Sequence, residues 1–476
     1  MRIAYTLPSI AIRTVFSTAG LLVFLTACGG GGSGNSTPTV PTSNPLKLDT
    51  TYGAGGTAQV NWPVPSALVL QSDGKLILAG SRQTAPLPAG SWTGRTAREV
   101  FAIRLTANGA LDTTFGTNGE VKISILGSDT PSDIKLQKNG RILVAVNAAQ
   151  PCSVQEHSLT APCLTSAGSN AKYSSQLIAL TQEGAIDKTF GESGVASTAA
   201  SRNPESLSLA VHSDQRIFLL RSTGYELIGL SEYGRVLDMF SADGVLAQKT
   251  TTANSASECL ASGTSLLIQN SGRIVSAGTR GGTTYTDPAE HPGVCIATHS
   301  QDTGEQTSNT WTKLGGNLGF RSLQPTSEGG FMSIGTVCDA NNDSCQLGVA
   351  RYGTEGTLQS SFGTSGIGKI GLPARTNLQS AVPLPDDSLM VLGSRVVYGE
   401  NFSNPQAGAV WVRMKANGSA DTDFGTGGVF TGPLSNQSPI RLLPDAQGRW
   451  LMISYDALTA GPTSFQIQRL SGWSQP

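Results

Sequence analysis

Residues 111–119 read Leu111-Asp112-Thr113-Thr114-Phe115-Gly116-Thr117-Asn118-Gly119, and the chain repeats this pattern. It stands earlier as Leu48-Asp49-Thr50-Thr51-Tyr52-Gly53-Ala54-Gly55-Gly56 and later as Ile186-Asp187-Lys188-Thr189-Phe190-Gly191-Glu192-Ser193-Gly194. Leu358-Gln359-Ser360-Ser361-Phe362-Gly363 and Ala420-Asp421-Thr422-Asp423-Phe424-Gly425 are further copies. A weaker copy centres on Leu237-Asp238-Met239-Phe240 and a degraded one on Trp311, which brings the count to seven. An aromatic repeated in nearly every unit is expected to be structural: each ring wedges between neighbouring units and the glycines permit the turn. The Asp ahead of it is expected to cap the turn through its own side-chain oxygen, not to act as an acid catalyst.

A second motif alternates with the first: an apolar-alternating run, a tight turn, a basic residue and an apolar strand. Leu68–Leu70, Asp73-Gly74, Lys75 and Leu76–Leu78 form one instance; Ile134–Leu136, Asn139-Gly140, Arg141 and Ile142–Val144 form another. Others run through Ser271-Gly272-Arg273 and Gln447-Gly448-Arg449. Asp-Gly or Asn-Gly between such runs is a hairpin signal, in which both central residues are expected at positive φ. A third strand closes each unit, as in Val100–Leu105, Gln176–Leu180, Leu227–Leu230, Val410–Met414 and Phe465–Leu470. Four short strands without a helix, at a period near 60 and repeated seven times, predict an all-β, seven-bladed propeller of four-stranded blades. The chain opens on a Leu-Asp-x-x-Tyr-Gly strand and stops after the third strand of its last unit. Residues 48–62 are therefore expected to supply the missing fourth strand and close the ring.

The Leu-Asp-x-x-Phe-Gly-x-x-Gly stretch followed by the Gln-x-Asp-Gly-Lys hairpin resembles the delta-60 repeat family across nearly all of residues 46–473. The resemblance implies a β-propeller and no established activity.

Ahead of the repeats, Arg2 and Arg13 precede an apolar core at Leu21–Leu25, too short to span a bilayer comfortably. Residues 1–27 read as a cleaved signal peptide. Leu25-Thr26-Ala27-Cys28 resembles the lipobox of bacterial lipoproteins, which implies lipidation of Cys28; Gly29, where an Asp would retain the protein in the inner membrane, points to the outer membrane. Residues 28–45 are a Gly/Ser/Thr/Pro tether that cannot build a core. Six cysteines remain, an even number in an exported chain. Fifteen pairings are open to them; placing each pair inside one unit gives Cys152–Cys163, Cys259–Cys295 and Cys338–Cys345.

The 57 glycines and the low charged fraction of 14% suit many short strands with Gly-rich turns. The 32 basic and 33 acidic residues nearly cancel without a clustered basic surface, which weighs against a nucleic-acid partner. No P-loop, dinucleotide-binding glycine pattern or Gly-x-Ser-x-Gly elbow is present. Asp339, Asn341 and Asp343 alternate like the start of a Ca²⁺ loop, but the glycine and distal Glu of that loop are missing, and a solvated hairpin tip fits better. His291, Cys295 and His299 share one face of a strand and suit zinc only with a free thiol. The expected cofactor and catalytic sets are empty. The leading expectation is a membrane-anchored binding or scaffold module at the cell envelope with a protein or glycan partner. It would present the insertions 81–99, 147–173, 279–292, 338–346 and 396–408, with Trp92 and Tyr398 as loop aromatics. The alternatives are a lyase or hydrolase with a site in the central channel, and a structural envelope protein.

Overall fold

Runs of alternating apolar residues bounded by turn glycines make every described element a β-strand. The computed structural model describes residues 46–84, 97–149, 157–158, 161–162, 173–198, 206–227, 230–252, 261–280, 293–315, 317–339, 344–398, 405–458 and 462–472. Cys28, the signal peptide, the tether, Cys152, Cys163, Cys259, His291, Asn341, Asp343 and Trp92 lie outside them.

The strands form seven antiparallel four-stranded blades arranged in a ring, each running inside to outside in chain order. The first blade is Ala67–Leu70, Leu76–Gln83, Arg98–Leu105 and Glu120–Ile123. The second is Thr130–Leu136, Ile142–Ala149, Tyr173–Leu180 and Val195–Ser197, and the third Ser206–Val211, Ile217–Leu227, Leu230–Phe240 and Leu246–Thr252. The fourth is Ala261–Ile268, Ile274–Arg280, Gly293–His299 and Gln306–Lys313, and the fifth Asn317–Pro325, Phe331–Cys338, Cys345–Tyr352 and Ile367–Gly371. The sixth is Thr376–Pro383, Leu389–Val397, Gln406–Met414 and Val429–Thr431. The seventh holds Gln437–Pro444, Trp450–Asp456 and Phe465–Ser471 from the end of the chain. Its outer edge comes from the beginning: Lys47–Leu48 and Thr57–Val60 both pair with Phe465–Ser471, which closes the ring as expected.

The core lies between blades, where the faces of adjacent sheets meet. Ile77, Ala79, Val100, Phe115 and Val121 of the first blade pack on Ile134, Ile142, Val144 and Ile178 of the second, all buried. Each such side chain stabilises the fold by roughly 1.5–3 kcal/mol, so the interfaces carry most of the burial energy. The first strands, which surround the axis, bulge in the second, fourth, fifth, sixth and seventh blades.

Three sequence readings are corrected. Leu227 and Leu230 do not share a third strand: they pair with each other across two long strands, Ile217–Leu227 and Leu230–Phe240. Phe240 therefore ends the third strand opposite Ile217, and Asp238 binds Arg221 on the neighbouring strand instead of capping a turn. Trp311 lies inside the fourth strand of its blade, opposite Cys295. The third and fourth blades thus lack the Phe-Gly turn: Ser241–Val245 and Ser300–Glu305 connect their last strands directly. Seven blades exist, but five carry the motif. The Asp-Gly hairpins also differ from expectation. Gly74 and Gly140 have φ of +82° and +86°, while Asp73 and Asn139 are not at positive φ. Gly74 N–H donates to Gln71 O and Gln71 N–H to Lys75 O, so the glycine alone takes the left-handed place of a three-residue loop.

Candidate functional site

Strand alternation sorts the connections. Those from first to second and from third to fourth strands lie at one end of the ring, here the turn face. Those from second to third strands, and from one blade to the next, lie at the other, the insertion face.

On the turn face the repeated residues act as latches between blades. The Asp112 carboxylate accepts from Thr114 N–H and hydroxyl, which caps the turn, and from Arg104 Nε at 2.8 Å. Arg104 lies over the Phe115 ring, 4.7 Å from its centroid, and donates through Nη1 to Gln182 O of the next blade at 2.6 Å. Gly116 N–H reaches Glu183 O of the same turn. The ring fills the space left by Gly184 of the next blade, where a Cβ would stand 2.8 Å from it. Asp49, Tyr52, Gly53 and Arg469 repeat this geometry across the closure, with Arg469 Nη1 on Ala107 O at 3.1 Å. In the second blade Asp187, Phe190 and Gly191 are present, but the third strand has no arginine at this place. Arg141 fills the slot from the hairpin instead, bonding Asp187, lying over Phe190 and donating to Ala242 O. Arg216 and Arg273 likewise donate to Gln301 O and Thr354 O in the blades without the motif. Arg351 bonds Gln359, ahead of Phe362 and Gly363, and reaches Ala416 O; Phe424 and Gly425 follow Asp421, paired with Arg413. The basic residue after the hairpin, legible in the sequence as a pattern, is thus part of the ring's inter-blade bonding.

Where the fourth blade lacks its aromatic turn, a groove of about 500 Å³ remains, lined by Arg273, Thr298, His299, Thr307, Ser308 and Glu355 among others.

The central channel forms a second cavity, about 380 Å³, lined by residues of the first, second, fifth, sixth and seventh blades, including Ser132, Asp133, Lys135, Gln324, Ser380 and Arg441. Asp133 is engaged by Lys135 Nζ at 2.7 Å, by Ile134 N–H and by Leu209 N–H of the next blade. Arg321 and Arg441 approach from either side of the sixth blade and bond the same carbonyl, that of Gln379. Burial, then the neighbouring Arg441, pushes the Arg321 guanidinium down to about 10, and burial also lowers Arg441 while Asp133 opposes it. Neither arginine was singled out from the sequence: they stand one position apart relative to the closing Pro325 and Pro444, and the bulges that bring both to Gln379 leave no composition signal.

The insertion face carries the exposed Tyr398, stacked by Arg375 at 5.2 Å, with exposed Leu434 and Leu458 on the connections beside it. Cys338 and Cys345 form a disulfide there across a short connection. In the chain-entropy model such a loop gains roughly 2–3 kcal/mol. Cys295 is also disulfide-bonded, and both ring nitrogens of His299 are engaged, with Ser276 Oγ and Gly304 O. A thiolate–imidazole zinc set is therefore not available at these two residues. Asp339 Oδ2 accepts from Ser344 N–H, closing the hairpin. No group of metal ligands forms among the described residues.

Residues 71–115, from the first hairpin to the first Phe-Gly turn, match a domain of unknown function, DUF5122, described as a beta-propeller. No curated protein matches the chain. Among solved structures, a protein of unknown function from Dyadobacter fermentans is 12% identical, with a TM-score of 0.43 over 72% of this chain and 93% of its own. One from Bacteroides caccae is 11% identical, with a TM-score of 0.33 over 60% and 80%. A GH43_1 enzyme from Xanthomonas citri is 11% identical, with a TM-score of 0.32 over 67% and 93%. At these scores the likenesses carry no functional argument. The blades and their closure make this chain a seven-bladed β-propeller protein, whose residues 71–115 are similar to the DUF5122 beta-propeller model.

Proposed function

We propose that the protein is a lipid-anchored binding module of the cell envelope, engaging a protein or glycan partner through the insertion face of the propeller. The observation that carries this reading is topological. The five insertions read from the sequence all connect second to third strands, so each begins and ends at one end of the ring. The chain enters the propeller at the opposite end, where Lys47 and Leu48 pair with Ser471 and Leu470. A lipid on Cys28 would then tether the turn face, and the insertion face would be free to point away from the bilayer. Rigid scaffolds commonly display binding residues on such connections, and exposed Tyr398, Leu434 and Leu458 offer apolar anchors beside them. A channel hydrolase draws less support: the seven inner strands carry one carboxylate, Asp133, which is tied to Lys135 and two backbone N–H groups, whereas glycoside hydrolysis commonly uses a pair.

Fatty-acid labelling and cell fractionation test the anchor. The protein is expected to take up label and sediment with membranes, and Cys28→Ser to lose both. An unlabelled wild type, or a Cys28→Ser variant that remains in the membrane fraction, contradicts the anchoring.

A further inference from the structure

We infer that the central channel contains an oxyanion site, formed by Arg321 and Arg441, for a small doubly charged anion of the phosphate or sulfate type. The seven inner strands carry four charged residues: Asp133, Lys135, Arg321 and Arg441. Three of the four are basic in a chain whose net charge is −1, so the axis is positive where the molecule as a whole is not.

The two guanidinium groups are brought together without an ion pair of their own; Asp133 acts on Arg441 only through its charge. Arg321 reaches out of the fifth blade and donates through Nε and Nη2 to Gln379 O at 3.0 and 2.5 Å. Arg441 reaches out of the seventh blade and donates through Nη1 to the same oxygen at 3.3 Å. One neutral carbonyl thus holds two cations. Among the described residues neither arginine forms an ion pair, and Arg321 Nη1 and Arg441 Nε and Nη2 have no protein acceptor. Asp133, the one acid on the inner strands, already accepts from Lys135 and two N–H groups.

Arg321 is exposed and Arg441 half-buried, and like charges this close repel, which proteins ordinarily relieve with a carboxylate. Here a cavity of about 380 Å³ adjoins the pair, lined by Arg441, Lys135, Asp133, Ser132, Ser380 and Gln324, with Arg321 beside it across Gln379 and the Asp133 carboxylate held by Lys135. Forked N–H donors with nearby hydroxyl and amide groups match the oxygens of a tetrahedral oxyanion, which charge-assisted and bidentate bonds hold well. The size of the cavity admits a small molecule and not a polyanionic chain. A bound dianion would remove the repulsion between the guanidinium groups, so binding and stability are coupled. The site is independent of what the insertion face binds.

The test is the thermal midpoint of the purified protein at pH 7, titrated with sodium phosphate, sulfate, succinate or chloride at matched ionic strength. Phosphate and sulfate are expected to raise Tm saturably, and chloride not. Arg321→Gln and Arg441→Gln are each expected to keep or raise the anion-free Tm, because the repulsion is removed, while losing the phosphate-dependent rise. Should a Gln variant not fold, Arg441→Lys retains the charge without the fork and is expected to weaken apparent phosphate affinity at least about tenfold. No saturable rise above chloride in the wild type overturns the site. So does a rise that persists in both Gln variants, or an unchanged affinity in Arg441→Lys. An equal rise with succinate overturns the assignment to tetrahedral oxyanions.

Discussion

Arg104 joins three structural tasks in one buried side chain: it pairs with Asp112, covers the Phe115 ring and bonds a carbonyl of the next blade. Removing it leaves the nearly buried Asp112 with Lys75, 3.4 Å away, as its remaining cation, so Arg104→Met is expected to cost about 2 kcal/mol, measured by urea unfolding. The same site makes stability depend on pH. The Thr114 hydroxyl first, then its N–H and Arg104, hold the Asp112 carboxyl down at about 2 from a usual 3.8, and Thr51 and Arg469 do the same for Asp49. A carboxylate with a lowered folded-state pKa stabilises fully above its unfolded value, and the contribution is lost as pH falls. Stability is therefore expected to drop between about pH 4 and pH 2, and Asp112→Asn to flatten that drop in acid titrations followed by circular dichroism.

Among elements, the Phe-Gly turn was readable because its geometry demands particular residues. Gly116 has φ of +56° and a Cβ there would lie 2.3 Å from Glu120 O, so the glycine is fixed wherever the turn exists. In the third and fourth blades the turn is gone and that demand with it. Leu237–Phe240 and Trp311 look like worn copies, yet they are strand residues placed by packing, which many apolar side chains satisfy. The latching arginines show a related limit. The carbonyl of the next blade needs a guanidinium, but Arg104 supplies it from a third strand and Arg141 from a hairpin, so sequence alignment of repeats does not reveal one role. The channel pair Arg321 and Arg441 was illegible for a different reason: bulges set which residue meets Gln379, and a bulge has no fixed residue type. By contrast the closing element was legible from strand phase alone. If Lys47–Leu48 and Thr57–Val60 complete the seventh blade, deleting residues 46–60 exposes the edge of Phe465–Ser471. The truncated protein is expected to lose its cooperative unfolding transition or to self-associate on size-exclusion chromatography; an unchanged monomer with unchanged Tm would count against the closure.

The whole molecule has two unlike ends. The turn face repeats, because each of its turns must latch the next blade: Gln182, Ala242, Gln301, Thr354, Ala416 and Ala107 occupy equivalent places and each accepts an arginine. That bonding constrains the face and leaves little freedom for a partner to be selected there. The insertion face carries the five insertions, where length and composition vary while blade number does not. The proposed role follows from this division of labour. It is tested by placing a photo-crosslinking residue in intact cells at Thr84 or Leu458 on the insertion face, and at Glu183 or Asn417 on the turn face. Specific crosslinked partners are expected from Thr84 and Leu458 and not from Glu183 and Asn417; partners captured only from the turn face, or equally from both, would contradict the account.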